Sequence, residues 1–228
     1  VYSVREKGVN ENGQTIRELV MQQNELALSI VEDYKSDLLQ MKMKETVPAA
    51  ASVSSEAGQA APGGDYLADD AIVEMPNEAG SKTKTLKLRK VDTPADNAWP
   101  DIEDPFGEGK FADKAAHYNG RLLYLARMTR PDISVAIGRI GRHLHKWSRY
   151  ADVLLHRVMQ YLDSRIEAEL VYSVAVGSTT HWYYEVFVDA DHAGDPTDSR
   201  STSGITTFLN AGDKSVRALL SWTSRRQK

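Results

Sequence analysis

Residues 186–195 end an apolar run, Val186-Phe187-Val188, in a cluster of carboxylates: Asp189, Asp191 and Asp195, with Asp198 close behind. Side chains two apart on an extended chain point to one side. Asp189 and Asp191 therefore face the same way if the strand continues through both, and a pair of carboxylates on one side is the start of an oxygen-ligand site for Mg²⁺. The competing reading makes Asp191, Asp195 and Asp198 turn residues that bond their own backbone. Asp189, set within the apolar run, is harder to absorb in that way.

The other candidates are basic. Arg139, Arg142 and Lys146 fall near one side of a helical period, away from its apolar stripe, and would face solvent. Such a face suits nucleic-acid phosphates, and equally suits an ordinary solvated helix surface. Tyr124, Trp147, Tyr150 and Tyr161 could stack on bases, although aromatics at helical spacing more often fill a core. The histidines at 117, 143, 145, 156, 181 and 192 lack zinc-ligand spacing and read as surface or structural. No nucleophile elbow, phosphate loop or dinucleotide fingerprint occurs. With no cysteine, disulfides, thiolate metal sites and cysteine nucleophiles are excluded.

The 228 residues are 41% hydrophobic and 26% charged, the composition of a globular protein of one or two domains. No stretch approaches the roughly 20 apolar residues of a membrane span, so no membrane partner is expected. The net charge of −4 hides an asymmetry. Residues 1–120 carry −8, residues 121–165 carry +6, and residues 166–228 carry −2. A basic block between acidic flanks fits contact with a polyanion.

These side chains need elements to hold them. Ser29 and Glu32 have capping-box spacing, and Val31, Tyr34, Leu38 and Met41 then share a face, predicting a helix near 30–43. Residues 46–110 are rich in Ala, Ser, Gly, Pro and acidic residues and read mostly as a flexible insertion or linker, with a short strand conceivable at Thr85–Leu88. Tyr118, Leu122, Leu125 and Ala126 form a helical stripe that stops before Pro131. A second helix follows, with Ile133, Ala136, Ile137, Ile140 and Leu144 inward, and a third spans about 149–163, with His156 and Arg157 away from its apolar face. After Glu167 the period becomes that of strands, at 170–174, 183–188, 205–209 and 218–222, and suggests an antiparallel meander.

The series Gly120-Arg-Leu-Leu-Tyr-Leu-Ala126, Thr129-Arg-Pro-Asp-Ile133, Val158-Met-Gln-Tyr-Leu162, Asp189-Ala-Asp-His-Ala-Gly-Asp195, Arg200-Ser-Thr-Ser-Gly204 and Ser221-Trp222 resembles, in order and spacing, the Pol polyprotein of copia-type long-terminal-repeat retrotransposons, from the end of reverse transcriptase into ribonuclease H. The resemblance implies an α+β fold, a helical bundle like the reverse transcriptase thumb or connection followed by an incomplete ribonuclease H-like antiparallel sheet. It divides the chain into 1–45, the end of the reverse transcriptase region; 46–110, the insertion; 111–166, the helical segment; and 167–228, the first ribonuclease H strands. It implies Mg²⁺ as cofactor in the complete parent enzyme, with Asp189 catalytic and Asp189 and Asp191 as metal ligands. Arg139, Arg142 and Lys146 would contact nucleic acid. The implied partners are an RNA–DNA hybrid or other nucleic acid and the remainder of the polyprotein. The implied location is intracellular, in cytoplasmic virus-like particles or the nucleus. His192 stands where the family has tryptophan. The polymerase Asp-Asp turn has no counterpart, since Asp69-Asp70 lies in the acidic insertion, and the next ribonuclease H glutamate would fall beyond Lys228, so the chain alone is expected to be inactive.

Overall fold

In the computed structural model, the residues described are 2–11, 13–46, 67, 70–76, 82–96, 104–176, 181–191, 200–211 and 217–227. They form strands β1 (Tyr2–Val9), β2 (Thr15–Met21), β3 (Ala71–Pro76), β4 (Lys82–Lys87), β5 (Leu170–Ala175), β6 (Trp182–Ala190), β7 (Thr202–Ala211) and β8 (Arg217–Arg226). The helices are α1 (Asn24–Thr46), α2 (Ala115–Met128), α3 (Ser134–Gly141) and α4 (Arg149–Asp163). The protein is thus mixed α and β, with three small antiparallel sheets among the described residues. It divides into two units: unit 1 holds residues 1–24, 122–138 and 167–228, and unit 2 holds 25–121 and 139–166.

Unit 2 is mainly helical. α1 buries Ala27, Ile30, Val31, Tyr34 and Leu38, which recur at the three- and four-residue spacing of one helix face. The Tyr34 ring stacks on Phe111 at 4.9 Å and meets Tyr118 edge-on at 5.9 Å. α4 buries Leu155, Val158, Met159 and Leu162, and its N-cap Ser148 accepts the Ala151 N–H at 3.4 Å. Two expectations change here. α1 already runs at Ser29, which accepts Arg121 Nη2 at 2.6 Å instead of capping a helix. The stretch expected to be a flexible insertion includes the β3–β4 hairpin, with Ile72 opposite Leu86 and Glu74 opposite Lys84. Leu67, Leu86 and Leu88 are buried. Three large apolar side chains supply the burial that the composition of the whole segment concealed.

Unit 1 contains the sheets β1-β2-β5 and β6-β7-β8. A bulge between Glu6 and Gly8 bends β1, and Gly8 at φ 130° adopts a backbone that side-chain-bearing residues avoid. β5 was expected to open the C-terminal meander; it pairs with β2 instead, setting Val171 opposite Val20 and Ala175 opposite Ile16. That register buries Val20, while Ala175 packs with Ala211 and Ile16. The meander proper is β6-β7-β8. One of its faces carries Trp222, whose indole N–H donates to Ala126 O of α2 at 2.8 Å. The other presents Tyr184, Val186, Val188 and Ile205 to solvent, with Tyr184 and Val188 each 70% exposed.

Candidate functional site

Asp189 sits one residue before the end of β6, opposite Gly204 of β7, and is exposed. Its Oδ1 accepts the Ala190 N–H at 2.9 Å. Asp191 lies just past the strand, where its N–H donates to Thr202 O at 3.1 Å and its own Oδ1 accepts the Thr202 N–H. Asp191 thereby clamps the end of the β6–β7 pair through the strand opposite it, instead of bonding its own local backbone. Asp195, Asp198 and His192 lie outside the described residues. Glu185, four residues back along β6, is engaged by Asn210 at 2.9 Å and Arg217 at 3.2 Å. Among the described residues no group of three His, Cys, Asp or Glu side chains could hold a metal ion. Asp189 and Asp191 alone do not complete the oxygen set that Mg²⁺ demands.

The basic trio is divided by the end of a helix. α3 stops at Gly141, so Arg139 occupies its last turn while Arg142 and Lys146 lie beyond it. There the chain makes tighter bonds, Arg142 N–H to Arg139 O at 3.1 Å, His143 N–H to Ile140 O at 3.0 Å and Lys146 N–H to His143 O at 3.0 Å. The single helix face expected for the three is not formed, because Gly138 and Gly141 weaken the helix that would carry it. Leu144, expected inward, is exposed with Lys146. Arg139 Nη1 donates to Asp96 O at 3.0 Å.

The structure also sorts the aromatics. Trp147 and Tyr161 are buried, whereas Tyr124 on α2 is 55% exposed. Arg127, on the turn after Tyr124, is exposed too. The apolar residues Leu122, Leu125 and Ala126 claim the inner face of α2, which turns Tyr124 outward.

Sequence reasoning missed two buried polar networks, both within unit 2. Asp152 in the first turn of α4 accepts Lys110 N–H at 2.5 Å, Phe111 N–H at 3.2 Å and the Trp147 indole N–H at 2.5 Å. Gly109 permits this approach, since a Cβ there would lie 2.6 Å from both Ser148 O and Trp147 Cδ1. His156, expected to point away from the core, is buried between Tyr34 Oη at 2.7 Å from Nδ1 and Asp70 Oδ2 at 3.1 Å from Nε2. Asp70 Oδ1 also accepts the Arg89 N–H at 2.9 Å and a Gln160 amide N–H at 3.3 Å. Burial works to raise the Asp70 carboxyl, but the hydrogen bond and charge of His156, with the Arg89 and Gln160 donors, outweigh it and hold its pKa below the ordinary value. The side chains of the Tyr34–His156–Asp70 chain are closed to solvent, and the chain pins the start of the hairpin to α1 and α4. In unit 1, Glu18 is 3% exposed between Arg5 and Lys7, each at 2.9 Å. Hydrogen bonds from Lys7 and Arg5 lower its pKa.

No family model and no solved structure matches the chain. Among curated proteins, it is 33% identical over 109 residues to the retrovirus-related Pol polyproteins from transposons RE1 and RE2 of Arabidopsis thaliana, a match covering 48% of this chain and 7% of each polyprotein. It is 31% identical over 108 residues to an uncharacterized mitochondrial protein of the same plant, covering 47% of this chain and 40% of that protein. A secreted RxLR effector protein of Plasmopara viticola is 33% identical over 109 residues, 48% of this chain and 70% of the effector. Over about half its length the chain is thus similar to retrotransposon Pol polyproteins, of which it spans only a small part.

Proposed function

We propose that the chain is the stretch of a copia-type Pol protein that joins the end of reverse transcriptase to the first strands of ribonuclease H, in a parent that copies RNA into DNA and cleaves the RNA of RNA–DNA hybrids. The observation that carries this reading is the position of Asp189: exposed at the end of the first strand of the β6-β7-β8 meander. A strand end fixes a carboxylate more rigidly than a turn does, which is what a metal-dependent hydrolase requires of its ligands. The solvent-facing Tyr184, Val186, Val188 and Ile205 are consistent with a sheet that gains a covering layer from another part of the polyprotein. In this reading Asp189 is one Mg²⁺ ligand of the parent, Asp191 mainly secures the strand pair, and the remaining carboxylates come from elsewhere. The chain alone is then inactive, and the parent works inside the cell, in cytoplasmic particles or the nucleus.

The test uses a protein extended through the whole ribonuclease H domain and a labelled RNA–DNA hybrid. Asp189→Asn should abolish Mg²⁺-dependent cleavage with the fold retained, and Asp195→Asn should cost far less. Full activity in Asp189→Asn refutes the assignment of Asp189, and hydrolysis by the unextended chain that disappears in its own Asp189→Asn variant refutes the inactivity of the chain alone.

A second reading, a non-catalytic nucleic-acid-binding module built on the basic block 121–165, is favoured by one observation. Tyr124 and Arg127 stand exposed on neighbouring turns of α2, and Arg127 has no partner among the described residues, an arrangement suited to a base and its phosphate.

A further inference from the structure

Residues 92–96 run across the arginines that α3 and α4 carry within unit 2. Arg157 is held three times: Nε donates to Thr93 O at 3.1 Å, Nη2 to Thr93 Oγ1 at 2.9 Å, and Nη1 pairs with Asp96 Oδ2 at 3.3 Å. The backbone oxygen of the same Asp96 takes Arg139 Nη1 at 3.0 Å. Arg165 Nη2 lies 3.7 Å from Asp92 Oδ1. Three oxygens around one guanidinium, with carboxylates at either end of a five-residue strap, repeat what a sugar–phosphate backbone offers to arginines. The strap comes from the acidic part of the sequence and the arginines from its basic block. Asp96 remains 53% exposed and Asp92 fully so, and ion pairs at such exposure are individually weak, so a polyanion can compete for the same guanidinium groups.

We propose that residues 92–96 are an internal phosphate mimic seated on a nucleic-acid-binding face formed by Arg139, Arg157 and Arg165, and that the strap lowers the affinity of that face until it is displaced. The proposal rests on the nucleic-acid reading of the basic block. It replaces the expected Arg139–Arg142–Lys146 face with one centred on Arg157.

The test titrates the whole chain into a short fluorescein-labelled RNA–DNA hybrid at several salt concentrations, reading anisotropy. Asp92→Asn with Asp96→Asn removes two charges at constant shape. It should tighten binding about tenfold at low salt and steepen the log–log salt slope by roughly 1.8, as two phosphate contacts become available. Adding Arg157→Gln should cancel most of the gain. A control, Glu25→Gln with Glu32→Gln, makes the same change of net charge at exposed positions of α1 and should leave affinity within about twofold. Equal tightening by the control, or unchanged affinity in the strap variant while the wild-type chain binds, overturns the strap and leaves the nucleic-acid reading standing. No binding at low salt by either the wild-type chain or the strap variant overturns both.

Discussion

Replacing Asp152 tests whether a buried carboxylate organises unit 2. Its Oδ1 serves Phe111 N–H and the Trp147 indole, and its Oδ2 serves Lys110 N–H. In Asp152→Ala all three donors lose their acceptor. The Phe111 and Trp147 groups are buried, so water replaces little, and each unsatisfied donor costs about 1–3 kcal/mol. Lys110 N–H is partly buried and recovers more of its loss from solvent. The sum is a destabilisation of about 2–6 kcal/mol from the two buried donors, increased slightly by the Lys110 loss and by loss of a negative charge in the first turn of α4. Asp152→Asn keeps one oxygen for Phe111 and Trp147 but turns an amide N–H toward Lys110 N–H, so its cost should be smaller, about 1–2 kcal/mol. Equilibrium urea unfolding followed by tryptophan fluorescence and by far-ultraviolet circular dichroism gives both numbers, provided the two probes coincide. An alanine variant within about 0.5 kcal/mol of wild type, or equal losses in the two variants, would refute the reasoning.

Two further predictions concern the other buried network. The folded pKa of Asp70 is depressed, so its contribution to stability is complete above the unfolded value of about 3.9 and disappears as pH falls through the lower folded value. Urea midpoints measured from neutral pH down to about pH 3 should therefore fall less steeply in Asp70→Asn than in wild type, and identical slopes would contradict the assignment. Tyr34→Phe removes the hydroxyl partner of His156 Nδ1 without opening a cavity and should cost about 1 kcal/mol; a variant as stable as wild type would show that the Tyr34–His156 bond contributes nothing net.

Local pattern was enough wherever one element's own periodicity carried the information. The apolar face of α1, the stripe Tyr118–Ala126, the bounds of the third helix at 149–163 and the strands around 183–188 and 205–209 were all legible, because burial selects residues at fixed spacings along a helix or strand. The likeness to transposon Pol polyproteins was legible too, because an ordered series of short motifs survives at about a third identity over half of the chain. Partners far apart in sequence were not. Nothing in Leu170–Ala175 says that it pairs with Thr15–Met21 across some 150 residues, and nothing in His156 says that Tyr34 and Asp70 will enclose it. The order inside the acidic insertion was hidden for the same reason: its mean composition describes a solvated chain, while Leu67, Leu86 and Leu88 are buried one at a time and Asp70 bonds His156 and Gln160 of α4. Arg139, Arg142 and Lys146 share a face only on an unbroken helix, and the helix ends at Gly141. Sequence by itself determined which segments could be helix or strand and which proteins the chain resembles. The tertiary structure decided which charges meet, because hydrogen bonds and ion pairs depend on distances of a few ångströms between residues whose order in the chain places no limit on their separation in space.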